Sequence, residues 1–159
     1  MASISNAVLK LVQGNGKLYV ATESKIYSIL PDFTVREELF SFSNYGTISS
    51  IEVIDPCIVV ATSRGLWSYD ASTTGSYIFK MKDPSEAPGI KDLKYSSGYL
   101  AMAGNTALSV MAISASSSAE EFPIIDNLEK FPVAGIDGSS GNSGFLKFIS
   151  LLGHKLAVF

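Results

Sequence analysis

The amino-acid sequence predicts an all-β fold that is built from a repeated unit of short antiparallel strands. Three observations predict it: a self-similar period of about 40 residues, segments rich in β-branched and aromatic residues, and turn residues between those segments. At that period the 159 residues hold three copies of the unit and about half of a fourth.

The repeat is visible when the chain is laid over itself. Apolar residues recur at offsets of 40 and then 42 residues, in the sets Val8, Ile48 and Ile90; Leu11, Ile51 and Leu93; and Leu18, Ile58 and Leu100. Within each copy, the second position lies three residues after the first, and the third lies seven residues after the second. A fourth copy begins at Leu146 and Ile149 with the same spacing. Several spacings rarely agree by chance, so we expect each copy to fold in the same way.

Connection lengths favour strands near the start of each copy, where the apolar pattern alone permits a strand or a helix. The three-residue connections Glu23–Lys25 and Ser63–Gly65 separate strand-like runs and suit hairpins. A further strand-like run closes each copy, at 35–40, 77–81 and 121–125. Each copy therefore predicts four short antiparallel strands.

The predicted third strand of copy two ends in Leu66–Asp70, which contains Trp67 followed at a short distance by an acid. Tyr27 and Ser109 stand at the position of Trp67 in copies one and three. The unit resembles a blade of a WD40-type or related β-propeller, a family with a Trp-Asp dipeptide near this position. The Gly-His pair of that family precedes no first strand here, and Gly153–His154 lies in a predicted turn. The resemblance implies a partial β-propeller of about 3.5 four-stranded blades. Because one fold serves many functions, the function must be argued from particular residues and not from the fold.

The spacing also predicts the organisation of the chain: blade 1 over 7–42, blade 2 over 46–82, blade 3 over 89–125, a Gly/Ser-rich insertion over 126–144 and the start of blade 4 over 145–159. The insertion is either a loop that carries partner contacts or a tolerated surface addition. Closed propellers have about four to eight blades, so we expect further chain, a partner or a second copy to complete the ring.

Composition excludes several classes of function. A net charge of −3 argues against nucleic acid or an anionic membrane as the main partner. The longest apolar runs, such as 57–61, are far shorter than the roughly 18 residues of a membrane-spanning helix. One cysteine, Cys57, and one histidine, His154, leave no disulfide and no zinc site within the chain. The lone cysteine and an amino terminus without secretory-signal features predict a cytoplasmic or nuclear location.

Candidate catalytic groups do not cluster in the sequence. His154 has no acid or nucleophile near it, and Cys57 opens an apolar strand, where a thiol is typically a small buried hydrophobe. The adjacent acids Glu37–Glu38 and Glu120–Glu121 point to opposite faces of a strand. Gly14–Gly16 is typical of a hairpin turn and lacks the lysine of a phosphate loop. We therefore predict no catalytic residue, no cofactor, no metal site and no enzymatic activity.

In a blade arrangement, loops between second and third strands share one face with the loops that join successive blades. The candidate protein-binding residues on that face are Glu23, Lys25, Tyr45, Arg64, Lys82, Asp83 and Asn105. Arg and Tyr are enriched at interface hot spots. We expect a non-enzymatic protein-interaction scaffold, the amino-terminal blades of an intracellular propeller completed by further chain or a partner. The alternatives are an ordinary solvated loop face, and an enzyme or small-ligand receptor whose central pocket forms only in the complete ring.

Overall fold

The structure is a computed structural model of the chain. It describes residues 4, 6–38, 42–70, 78–82, 89–96, 98–104, 107–114, 124–132, 148–152 and 155–158. Across these segments, no helix has the length and apolar character that crossing a membrane requires.

The described residues form fourteen strands, which are grouped in consecutive sets. Sheet 1 contains β1 (Lys10–Gly14), β2 (Lys17–Ala21), β3 (Ile26–Ile29) and β4 (Val35–Glu38). Sheet 2 contains β5 (Ile48–Ile54), β6 (Cys57–Thr62), β7 (Gly65–Asp70) and β8 (Ile78–Lys82). Sheet 3 contains β9 (Asp92–Ser96), β10 (Tyr99–Ala103), β11 (Ala107–Ser114) and β12 (Ile124–Pro132). A two-stranded sheet contains β13 (Phe148–Leu152) and β14 (Lys155–Val158), and a 3-10 turn at Phe42–Tyr45 precedes β5.

Within each sheet the strands follow one another in chain order and every neighbouring pair is antiparallel. The predicted all-β class is therefore confirmed. Some details differ from expectation. The β2–β3 connection runs over 22–25 and so has four residues and not three. Thr62 pairs with Gly65, so the β6–β7 connection has two residues and not three, because Gly65 adopts a φ of 125° that lets it enter the ladder. The last strand of sheet 3, expected at 121–125, runs to Pro132 and enters the range predicted as the insertion.

The first hairpin shows how local sequence sets strand register. Gly14 pairs with Lys17 across a two-residue turn, Asn15 and Gly16. Both turn residues have positive φ, 51° and 68°, which is the geometry that an Asn-Gly hairpin turn prefers. The turn therefore fixes which side chains of β1 and β2 point into the core.

Successive sheets pack face to face, and the first strand of each sheet contacts the first strand of the next. Buried side chains of sheet 1 and sheet 2 meet in one core: Tyr19, Ala21 and Ile26 against Ile51, Ile58 and Val60. Sheets 2 and 3 meet in a second core: Val59, Ala61 and Leu66 against Leu93, Leu100 and Met102. Sheet 2 is thus covered on both faces, which is why every residue of β6, Cys57 included, is buried.

Candidate functional site

One end of the stacked sheets carries the β2–β3 turn, the β6–β7 turn and the connection between sheets 1 and 2. We call this end the loop face. The Ile48 amide donates to the Glu23 carbonyl at 2.8 Å, and the Ser63 amide donates to the Thr47 carbonyl at 2.9 Å. These backbone bonds hold the two turns and the connection side by side.

A cavity of about 600 Å³ opens on the loop face. Its walls come from four short segments, 6–7, 23–24, 46–47 and 63–64. Glu23 and Arg64, both predicted as binding residues, line this same cavity. The junction of the first two sheets therefore brings one acidic and one basic side chain around a single polar concavity.

Arg64 is held in place from two directions. Its Nη1 donates to the Asn44 carbonyl at 3.0 Å, and its backbone amide donates to Thr62 Oγ1 at 3.1 Å. The Thr62 hydroxyl also accepts a hydrogen bond from Trp67 Nε1 at 3.0 Å and donates to the Tyr45 carbonyl. Thr62 therefore ties the β6–β7 turn to the connection that enters sheet 2.

Thr22 stands at the repeat position of Thr62 in sheet 1, but its hydrogen bonds stay within the β2–β3 turn. Its amide donates to the Lys25 carbonyl at 2.9 Å, and its Oγ1 accepts from the Lys25 amide at 3.1 Å. Neither threonine was identified from the sequence. The signal was available, because both stand 40 residues apart at the end of a second strand and directly before a tight turn.

The remaining predicted binding residues fall into different surroundings. Lys25 closes the β2–β3 turn and is partly buried. The Tyr45 ring packs edge-on against Trp67, with ring centroids 4.9 Å apart, so Trp67 packs between sheet and connection. Lys82 ends β8, and only its backbone is described. Asp83 and Asn105, like His154, lie outside the described residues.

A second polar cluster joins the first strands of the three large sheets. Lys10 Nζ lies 2.6 Å from Asp92 Oδ1, 3.1 Å from Ser50 Oγ and 3.6 Å from Glu52 Oε2. Lys94 Nζ lies 3.7 Å from Glu52 Oε1. Sequence reasoning missed this cluster, although Lys10, Ser50 and Asp92 occupy one repeat position, at offsets of 40 and 42 residues.

Glu52 is the most buried charged group of this cluster, at 7% exposure. Burial raises the pKa of its carboxyl, and the charges of Lys10 and Lys94 offset only part of that effect. Asp92 adds a smaller upward contribution to the same pKa. The charges pair with one another, so the cluster joins the sheets. Within the described part of the chain, no group of three potential metal ligands is present.

Comparison with known proteins identifies the fold but no family. No protein-family model matches the chain, and no curated protein matches it. The chain is similar to the crystal structure of the N-terminal domain of Nup159, with a TM-score of 0.54 and 14% sequence identity. The likeness covers 81% of this chain and 32% of that one, so the chain spans about a third of the neighbour's length. That neighbour is a β-propeller, and the likeness shows a propeller-like fold.

Proposed function

We propose that the chain is a non-enzymatic protein-interaction scaffold that supplies consecutive blades of an intracellular β-propeller. The observation that carries the proposal is the unequal burial of equivalent residues. Leu11 is 56% exposed, whereas its equivalents Ile51 and Leu93 are both 0% exposed. Val8 is 49% exposed, whereas its equivalent Ile48 is 2% exposed.

The preceding sheet covers these positions in sheets 2 and 3. Within the described residues no sheet covers them in sheet 1, so Val8, Leu9 and Leu11 form an apolar face. Each Å² of apolar surface removed from water stabilises by about 25 cal/mol, so covering this face is favourable. A further blade, from the same polypeptide or from a partner, has the matching shape. Similarity to a longer propeller chain, of which the match covers 32%, supports this completion.

We assign the blades to the predicted ranges 7–42, 46–82, 89–125 and 145–159, except that β12 extends the third blade to Pro132 and so shortens the predicted insertion, 126–144, at its start. The loop face, with Glu23, Lys25, Tyr45, Arg64, Lys82, Asp83 and Asn105, is the proposed docking surface for protein partners. The structural neighbour is a nucleoporin domain, which supports a scaffold role and a nuclear or cytoplasmic location.

The alternative is an enzyme or small-ligand receptor with a pocket at the centre of the completed ring. Its residues would lie on the first strands of the sheets. The charged groups described there, Lys10, Glu52, Asp92 and Lys94, are engaged with one another. No observation on these strands therefore favours the alternative over the scaffold.

The scaffold proposal is tested by charge reversal on the loop face. The triple variant Lys25→Glu, Arg64→Glu and Lys82→Glu is compared with a control, Lys17→Glu, Arg36→Glu and Lys155→Glu, which changes the net charge equally. Partners that co-purify with the parent protein are quantified by mass spectrometry. We expect the loop-face variant to lose partners that the control retains. Retention of every partner by the loop-face variant contradicts the proposed surface.

A further inference from the structure

We infer that the cavity between Glu23 and Arg64 binds a short peptide segment in which an acidic and a basic side chain lie close together. This peptide site belongs to the loop face and therefore rests on the proposed function. It names the chemistry of the partner segment, which the scaffold proposal leaves open.

The first support is the pair of charges in one cavity. Glu23 and Arg64 are both exposed and both line the concavity. Among the residues that the structure describes, no ion pair joins either side chain to an opposite charge. A guanidinium has five N–H donors, and the hydrogen bond from Arg64 Nη1 to the Asn44 carbonyl leaves donors for a ligand. Both charges are therefore available to a partner.

The signs of these charges select the ligand. An anion such as a phosphate is attracted by Arg64 but repelled by Glu23. A purely cationic segment is attracted by Glu23 but repelled by Arg64. Two unit charges 4 Å apart interact by about 1 kcal/mol in water and by about 4 kcal/mol at the effective dielectric of a protein surface. A segment that carries both signs gains from both residues, so it is preferred over either single-sign ligand.

The walls match a peptide more closely than an apolar small molecule. The cavity, at about 600 Å³, lies within the range of about 300–1,000 Å³ that is typical of ligand clefts. Ala7 and Gly46 are its apolar wall residues, so no large hydrophobic anchor is present in the lining. The hydroxyls of Ser24, Thr47 and Ser63 can donate to and accept from a peptide backbone.

The walls are also fixed before a ligand arrives. The Thr47 amide donates to Ser63 Oγ at 3.0 Å, which joins the two sides of the cavity at a second point. Gly46 has a φ of 97°, and a Cβ placed there would lie 2.5 Å from Ser63 Oγ. Only glycine permits so close an approach of the connection to the turn. Because the walls are preorganised, binding costs less conformational entropy.

Three blocked peptides test the inference by NMR titration of the isotope-labelled chain. One peptide carries an aspartate and an arginine, one carries two aspartates and one carries two arginines, each made with one and with two glycines between the charges. We expect the mixed peptide to shift the amide signals of 23–24, 46–47 and 63–64 and to bind at least tenfold more tightly than the others. Equal binding of a single-sign peptide, or no shift with any peptide, overturns the inference.

Charge variants then test whether the two residues set the preference. Arg64→Glu should switch the preference to the two-arginine peptide, and Glu23→Arg should switch it to the two-aspartate peptide. Lys17→Glu and Asp55→Arg make the same charge changes at the opposite end of the sheets and should leave the preference unchanged. Parental affinity of both cavity variants for the mixed peptide overturns the inference.

These results are distinguishable from a failure of the scaffold proposal. If the loop-face triple variant loses its partners but the cavity shows no peptide preference, the scaffold stands and the peptide site falls. If the cavity selects the mixed peptide but every partner remains on the triple variant, the peptide site stands and the proposed partner surface falls.

Discussion

The Nζ atom of Lys10 lies 2.6 Å from Oδ1 of Asp92, although 82 residues separate the two in the chain. The contact runs from the first strand of sheet 1 to the first strand of sheet 3, across Ser50 of sheet 2. The three first strands must therefore lie close together at one edge of the stack. The proposed arrangement of blades around a common axis requires such an edge.

Lys10→Met tests the contribution of this contact to stability. The substitution keeps most of the aliphatic volume but leaves Asp92 and the buried Glu52 without their shared cation. Removing one partner of a buried ion pair costs about 3 kcal/mol, so we expect a loss of about 2–3 kcal/mol in the free energy of unfolding. Urea denaturation measures it. Lys17→Met, in the first hairpin, is the control and should cost under about 0.5 kcal/mol. Equal losses in the two variants would show that the ion cluster does not join the sheets.

Glu52→Gln tests the pH dependence of stability. Because burial raises the pKa of Glu52 above 4.5, the folded chain binds this proton more tightly than the unfolded chain. The stabilisation that this proton provides is complete below pH 4.5 and is lost as the pH rises through the raised pKa. We expect the parent to lose stability relative to Glu52→Gln over that window, as measured by denaturation at a series of pH values. A difference between the two proteins that stays constant from pH 4.5 upward contradicts the assigned direction.

Thr62→Val tests the hydroxyl that joins the β6–β7 turn to the connection. Valine keeps the shape but leaves the Arg64 amide and Trp67 Nε1 without their acceptor. An unpaired group costs about 1–3 kcal/mol when it is buried, and less at part-buried positions such as these. We expect a loss of about 2 kcal/mol and a change in tryptophan fluorescence. Thr22→Val is the matched control, since the hydrogen bonds of Thr22 stay within its own turn. A smaller loss for Thr62→Val than for Thr22→Val would refute the role of Thr62.

Leu11→Ala and Leu93→Ala test the open face of sheet 1. Leu93 is fully buried, so its truncation should cost about 3 kcal/mol in this chain. Leu11 is 56% exposed, so its truncation should cost under about 1 kcal/mol in this chain and more in the complete assembly. Calorimetry measures the stability of both variants relative to the parent, first in the chain alone and then with the completing partner bound. A cost at Leu11 that is the same in both settings means that no blade covers this face.

Much of the fold follows from features that the sequence displays. Repeated apolar positions place the inner strands, and Asn15–Gly16 defines the first hairpin by its turn chemistry. The last strand of sheet 3 was less predictable, because its sequence, Ile124–Pro132, mixes charged and apolar residues without strict alternation.

The candidate site also has a part that the sequence predicts and a part that it does not. Glu23 and Arg64 could be placed on one face because their turns occupy equal places in the repeat. The cavity between them could not be predicted, because its shape depends on how the 46–47 connection packs against the Ser63 turn. The ion cluster at Glu52 depends likewise on contacts between sheets, which no local pattern encodes.

A structure of the natural assembly tests the central claim most directly, through the exposure of Leu11. The account predicts that another antiparallel sheet packs on Val8 and Leu11, so that Leu11 is as buried as Ile51. A structure in which Leu11 faces solvent, or lies under a helix, contradicts the assignment of this chain as consecutive blades of a propeller.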